Sequence, residues 1–182
     1  MKRKTTKEIL VESFRELAEK KPADKITVQE IAANCGYSPA TFYRHFRDKY
    51  DLIAWEYARD GMEIMDRIDA EGYEWRRTPY DAAEYYWENR VYLKNLFQHT
   101  SGHESFVRYV AATNTKNLRR IILRRTREPL LSNETEIMAR IYCYGTVEMV
   151  CEWILGGVQA PPETMGKLFE DSLPAPLRKF LY

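Results

Sequence analysis

Helix boundaries crowd together between Thr27 and Asp48, and that crowding constrains this 182-residue chain more than any other feature. Thr27-Val28-Gln29-Glu30 is a capping box, in which the hydroxyl takes an amide of the first turn while the glutamate reaches back. Gly36 breaks the helix that this box starts. Ser38-Pro39 then supplies an N-cap and a proline at the first helical position, and Asp48 caps again. Two short helices joined by Asn34-Cys35-Gly36-Tyr37 satisfy these signals, the second predicted over residues 39–46. That arrangement is a helix-turn-helix.

The second helix has two unlike faces. At about 100° per residue, Phe42 and Phe46 point together, toward a small core of Leu10, Phe14, Leu17, Val28 and Ile31. Ala40, Thr41 and Arg44 point the other way, with Tyr43 and His45 on the flanks. A small residue, a hydroxyl and a guanidinium suit a helix lying in the major groove of double-stranded DNA. Alanine permits close approach or meets a thymine methyl, threonine bonds either way, and arginine grips guanine O6 and N7. Tyr43 and His45 are placed to reach phosphates on either wall. Lys49 opens the following helix, where its backbone N–H and ammonium together form a phosphate clamp.

The rest of the chain is also helical, because apolar positions recur at helical spacing and no sustained period-two run separates the turn signals. Ile9, Leu10, Phe14, Leu17 and Ala18 stripe a first helix ended by Pro22, with Glu8, Glu12, Arg15, Glu16 and Glu19 opposite. A long helix is expected over 48–68. Breaks at Gly72 and Pro79 lead to helices near 80–89, 91–99, 103–127, 134–155 and 162–173. The expected fold is all-α, with a three-helix DNA-binding domain over 1–50 and a helical effector-binding and dimerisation domain over 51–182. Ile137, Ile141, Tyr144, Val147, Val150, Trp153 and Ile154 leave almost no polar face on the helix over 134–155. Such a helix is buried on several sides. Gly145 permits close approach, and Met165, Leu168, Phe169 and Leu173 stripe the next helix. Two such helices from each of two subunits would make a four-helix bundle, so a homodimer is expected.

Charge is distributed unevenly. The net formal charge is +1, but residues 1–50 hold 11 Lys/Arg against 7 Asp/Glu and the remainder 17 against 20. A basic first third on a mildly acidic body fits one small module meeting phosphate. Apolar residues at 45% and charged residues at 30% are ordinary for a soluble protein. The apolar runs are too short to span a bilayer, and Met1-Lys2-Arg3-Lys4 has no apolar stretch behind it, so a cytoplasmic location is expected. Cys35, Cys143 and Cys151 form no C-x-x-C pair and read as reduced thiols.

The stretch "ITVQEIAANCGYSPATFYRHFRDKYDLI", residues 26–53, resembles the TetR/AcrR family of one-component transcriptional regulators. The resemblance implies that Tyr43, His45 and Lys49 contact the DNA backbone, and that Thr27, Ser38, Ala40 and Thr41 lie at the DNA. Tyr37 stands where a small aliphatic is more usual and Ala40 where glycine is frequent, departures that bear on which operator is read. The closing stretch, "EWILGGVQAPPETMGKLFEDSLPAPLRKFL", is similar to the last two helices of a TetR subgroup that includes regulators like the dihydroxyacetone-kinase activator.

An effector pocket is expected inside the body, with Trp55, Met62, Tyr86, Phe106, Tyr109, Tyr142 and Met149 as its candidate lining and a mostly apolar small molecule as its occupant. The alternative is a ligand-free regulator whose body binds a protein partner, and an interior cavity would separate the two. No enzyme motif occurs: no G-x-S-x-G, phosphate loop, Cys/His pairing or Gly-rich dinucleotide turn. No cofactor is expected. His99, His103 and Glu104 have metal-like spacing but span a helix-breaking Thr-Ser-Gly, so they read as a surface turn. Arg119, Arg120, Arg124, Arg125 and Arg127 read as a solvated helix face.

Overall fold

The structure is a computed structural model that describes residues 3–68, 72–100 and 105–182. Ten α-helices follow one another among the described residues: α1 (Thr6–Ala18), α2 (Val28–Asn34), α3 (Pro39–Tyr43), α4 (Lys49–Arg67), α5 (Thr78–Glu88), α6 (Arg90–His99), α7 (Phe106–Thr126), α8 (Asn133–Leu155), α9 (Pro162–Asp171) and α10 (Ala175–Leu181). Short 3-10 turns at Ala23–Lys25 and Trp75–Arg77 lead into α2 and α5. None of these helices is long and apolar enough to cross a membrane.

Local chemistry sets the head. Thr5 and Glu8 form a capping box on α1, and Thr27 and Glu30 form another on α2. Ser38 caps α3 ahead of Pro39. Helix α3 is shorter than the sequence predicts, ending at Tyr43. His45 and Phe46 nevertheless donate their backbone N–H groups to the Phe42 carbonyl, which carries the turn one step further. Phe42 and Phe46 therefore still enter the core together, beside Leu10, Phe14 and Ile31.

Helix α1 ends at Ala18, hydrogen-bonded turns through Lys21 carry the chain to Pro22, and a side chain from the body takes the open carbonyls there. Asn95 of α6 donates to the carbonyls of Ala18 (2.6 Å) and Lys21 (2.9 Å) and accepts the Ala23 N–H at 2.8 Å. One amide thus satisfies the polar groups that a helix end leaves open. The head and body also share one apolar core, which runs from Phe14 and Phe42 through Leu52 and Tyr57 to Tyr86, Leu93, Val110 and Val147. A smaller cluster of Ile68, Trp75, Leu118, Ile121, Ile122, Leu173, Leu177 and Leu181 closes the far end. The sequence reading ended before α10, which Ala175 and Leu177 begin after Pro174.

Helix α9 packs tightly on α5. A Cβ at Gly166 would stand 2.8 Å from Tyr80 Cδ1 and 2.9 Å from Tyr80 Cα. Backbone cannot yield as a side-chain tip can, so Gly166→Ala is expected to destabilise the protein by about 1–3 kcal/mol despite alanine's better helix propensity. Urea unfolding checks this, and a stabilised variant would mean that α5 and α9 lie farther apart.

Helix α8 has two apolar faces. Ala139, Cys143, Val147, Val150 and Ile154 are buried in the body, whereas Ile137, Ile141, Tyr144 and Leu155 on the opposite side are exposed, Ile141 to 67%. Leu168 of α9 is exposed as well, and a Cβ built at Gly145 meets nothing within 4 Å. The arginines of α7 are not simply solvated. Arg124 donates to the Ile68 carbonyl, Arg125 to those of Phe180 and Leu181, and Arg119 pairs with Glu136 at 3.3 Å. Cations therefore satisfy the last carbonyls of neighbouring helices.

Candidate nucleic-acid interface and body cavity

The outward face of the head carries the residues that the sequence assigned to it. Tyr43 is 57% exposed, its ring edge-on to Phe42 at 5.6 Å. Arg44 is exposed and donates to the Thr41 hydroxyl at 3.0 Å, so the two form one polar unit on the surface. Ala40 and Ser38 are exposed, and Thr41 and His45 partly so. The hydroxyls of Thr27 and Ser38 are held by their capping bonds to the Glu30 and Thr41 amides. Lys49 has partners within the protein. Its ammonium donates to the carbonyls of Asp24 (2.7 Å) and Ile26 (2.9 Å), tying the start of α4 to the turn before α2. Those carbonyls follow α1 and face α4, which is why they capture the ammonium.

Beneath the head lies a polar junction that the sequence reading missed. Glu56 of α4 is 2% exposed and takes the Arg15 Nε–H of α1 and the Tyr92 hydroxyl of α6 on its two oxygens. Arg15 also donates to Asn89 at 2.9 Å and stacks over the Tyr92 ring at 4.4 Å. One turn along α4, Asp60 pairs with Arg59 at 2.7 Å and accepts from the Tyr85 hydroxyl at 3.1 Å. Burial pushes the Glu56 carboxyl up, against the opposing pull of Arg15 and Tyr92.

Asp60 also belongs to the wall of a cavity of about 120 Å³, bordered by α4, α5, α7, α8, α9 and the Trp75–Arg77 turn. Its walls are mostly apolar, with Ile64, Leu118, Val147, Val150 and Phe169 among them. Tyr57, Tyr86 and Asn114 form a ring of hydrogen bonds, Tyr57 to Asn114 at 2.9 Å and the two phenols at 2.8 Å. Burial raises both phenols, so they remain neutral. Burial likewise pushes the Cys143 thiol up to about 12. Trp75 Nε1 is buried with no acceptor among the described residues.

Of the seven candidate lining residues, Tyr86 and Tyr142 are in this wall. The other five lie elsewhere. Trp55 packs on Phe46 and under Lys7, and Tyr109 donates its hydroxyl to the Ala54 carbonyl at 2.8 Å. Phe106 fills the core against Tyr57 and Phe97, while Met62 and Met149 are exposed. Aromatic and methionine content could not distinguish wall from core. A usable signal was polarity on buried faces, as with Asn114 and Asn117 of α7, one turn apart between Val110 and Leu118. His103 and Glu104 lie outside the described residues, and His99 faces Asp24 at 3.7 Å.

Comparison with known proteins matches two family models in succession. That for bacterial regulatory proteins of the tetR family covers residues 10–54, and that for a transcriptional regulator C-terminal region covers residues 73–174, more than half of the chain. The chain belongs to the TetR family of transcriptional regulators. Among curated TetR-type relatives, the dhaKLM operon transcriptional activator DhaS of Lactococcus lactis is 23% identical over 101 residues, 56% of this chain and 54% of that protein. An uncharacterized HTH-type transcriptional regulator of Haemophilus influenzae is 31% identical over 65 residues, 36% of this chain and 28% of that one. The alignments thus span about half or less of these relatives. Solved structures share the TetR fold over nearly the whole length. The dihydroxyacetone kinase operon activator DhaS has a TM-score of 0.68 at 18% identity, covering 97% of this chain and 98% of that one. The repressor FadR of Thermus thermophilus, in complex with lauroyl-CoA, has a TM-score of 0.63 at 15% identity, covering 97% and 95%.

Proposed function

We propose that this DNA-binding regulator works as a homodimer on a near-palindromic operator, in the cytoplasm, and that a small molecule in the body cavity sets its DNA affinity. The observation that carries this reading is the double membership of α4. Its first half lies in the core shared with the head, through Leu52 and Ile53, and its second half, from Tyr57 to Ile64, walls the cavity. A ligand that moves the second half moves the first, and affinity shifts as far as the ligand binds the two arrangements unequally. An interior cavity with hydrogen-bonding groups favours this reading over a ligand-free regulator with a protein partner. The lauroyl-CoA complex of one fold neighbour is in keeping with a small-molecule effector.

On the DNA, Ala40, Thr41 and Arg44 would read bases, with Tyr43, His45 and Lys49 on the backbone and Thr27 and Ser38 at its edge. Two-fold symmetry of the protein implies inverted half-sites. Selection of bound DNA from random sequence tests the reading: enriched sequences should be inverted repeats, and enrichment of unrelated single sites would count against a two-fold dimer. On the selected site, Arg44→Ala should relax preference at one base pair per half-site, costing about 1–3 kcal/mol there. Tyr43→Phe should weaken all sequences alike. Lys49→Ala should lower the salt slope by about one unit, a readout that its loss of the Asp24 and Ile26 carbonyls does not imitate. Base-selective loss for Tyr43→Phe with uniform loss for Arg44→Ala would reverse the assignment.

A further inference from the structure

We propose that the cavity takes a small neutral molecule with a ring-sized apolar body and one hydrogen-bond acceptor (a ketone, ester or ether oxygen) seated on the Trp75 indole N–H. This rests on the effector-responsive reading and narrows the class of effector. Three observations set the three parts.

Size comes from the volume. About 120 Å³ is close to the roughly 150 Å³ of an engineered apolar cavity that takes benzene. A body of about one ring is the scale that this volume matches.

Neutrality comes from the charges in the wall. Asp60 is the one Asp, Glu, Lys or Arg among the described wall residues, and its oxygens already hold the Arg59 guanidinium and the Tyr85 hydroxyl. A ligand carboxylate would find no cation there. A ligand ammonium would have to displace Arg59. Either would leave a buried charge without its partner, which is strongly disfavoured.

The acceptor comes from the unmatched donor. Indole nitrogen donates and cannot accept. Trp75 is buried, sits in the wall, and its Nε1 has no acceptor among the described residues. Buried donors in native proteins are nearly always satisfied, so one left open beside a cavity points to a group supplied from outside. The neighbouring Tyr57, Tyr86 and Asn114 bond one another, whereas the Thr78 hydroxyl in the same wall is also buried without a partner among the described residues and is a second donor for the same acceptor. Asn117 adds an amide at the wall with no hydrogen-bond partner among the described residues, able to orient a second polar atom.

The test uses the full chain, isotope-labelled at indole nitrogen, and four probes of one shape: acetophenone, ethylbenzene, benzoate and 1-phenylethylamine. Acetophenone is expected to shift the Trp75 indole resonance and to bind about tenfold tighter than ethylbenzene, the ratio one hydrogen bond supplies. Benzoate and 1-phenylethylamine should bind at least about tenfold more weakly than acetophenone. In Trp75→Phe, acetophenone should fall to the level of ethylbenzene, while retained ethylbenzene binding shows that the cavity is intact. Should that variant lose the cavity, the wild-type order of the four probes still decides. No binding by any probe, tightest binding by a charged one, or an unchanged preference in Trp75→Phe would overturn the proposal. Binding in the expected order with no effect on affinity for the selected DNA would leave the proposal standing and defeat the effector reading alone.

Discussion

Arg15→Ala is expected to destabilise the protein by about 3–5 kcal/mol at pH 8, because it strands a carboxylate that the fold has removed from water. Glu56 is 2% exposed, and the groups facing it are Arg15 from α1, Tyr92 from α6, and Arg59 and Asp60 on its own helix, with Tyr85 of α5 behind Asp60. Tyr92 supplies a hydrogen bond but no countercharge. For a chain of this size, such a loss corresponds to a drop in melting temperature on the order of 10 °C.

The effect should depend on pH with a defined sign. Burial already holds the Glu56 carboxyl above the ordinary range, while Arg15 and the Tyr92 hydroxyl pull it down. Without Arg15 it climbs further. A carboxyl whose folded value exceeds its unfolded one contributes stability that is complete below the unfolded value and lost as pH rises through the folded one. The deficit of Arg15→Ala should therefore open only as pH passes the wild-type folded value of Glu56, which burial holds above the ordinary glutamate range, and be smaller at pH 5 than at pH 8. Arg15→Met combined with Glu56→Leu should recover most of the loss, since an apolar pair of similar volume leaves no stranded charge. Thermal melts at both pH values check the set. A deficit under about 1 kcal/mol, or one equal at pH 5 and pH 8, would show that Glu56 is not held by Arg15.

The junction shows where sequence reasoning runs out. Capping chemistry and apolar spacing are local, so the starts of α2 and α3 and the inward turn of Phe42 and Phe46 were legible, whereas the end of α3 was not. Arg15 lies opposite the apolar stripe of its own helix, which offers it nothing, and its partner lies 41 residues away on α4. Glu56 did leave a trace: it interrupts the stripe of Leu52, Ile53 and Tyr57, and a charge on an apolar face calls for a partner from elsewhere. Asn95 left a similar trace between Leu93, Leu96 and Phe97. The cavity was harder, because Tyr86 in the wall and Tyr109 in the core have the same composition and helical spacing around them. Only the meeting of five helices and a turn decides which ring borders empty space. The tie between Lys49 and the Asp24 and Ile26 carbonyls was illegible for the same reason, since they reach it from a turn that precedes α2.

Ile141→Glu should raise the dimer dissociation constant by at least about 100-fold and leave the monomer folded. Ile141 is 67% exposed in the single chain, so a carboxylate there remains in water and stability should change little. It stands with Ile137, Tyr144 and Leu155 along one side of α8, near Leu168 of α9 and the open backbone of Gly145. A contiguous apolar stripe of this kind is what a subunit contact covers. Arg140 and Glu148 lie equally far on either side of Tyr144 in sequence. A two-fold axis through that turn would bring each arginine toward the partner's glutamate, as an isologous contact requires. Both subunits would carry the variant, so two carboxylates would lose water without gaining a cation, at about 3–5 kcal/mol for an uncompensated buried charge. Sedimentation velocity across a concentration series reads the dissociation constant, and circular dichroism verifies that the helices are intact. With the dimer lost, affinity for an inverted repeat should collapse to that of one half-site, since the second head would no longer be held beside the first. A wild-type chain that sediments as a monomer at micromolar concentration, or a variant that dimerises as before, would place the contact elsewhere.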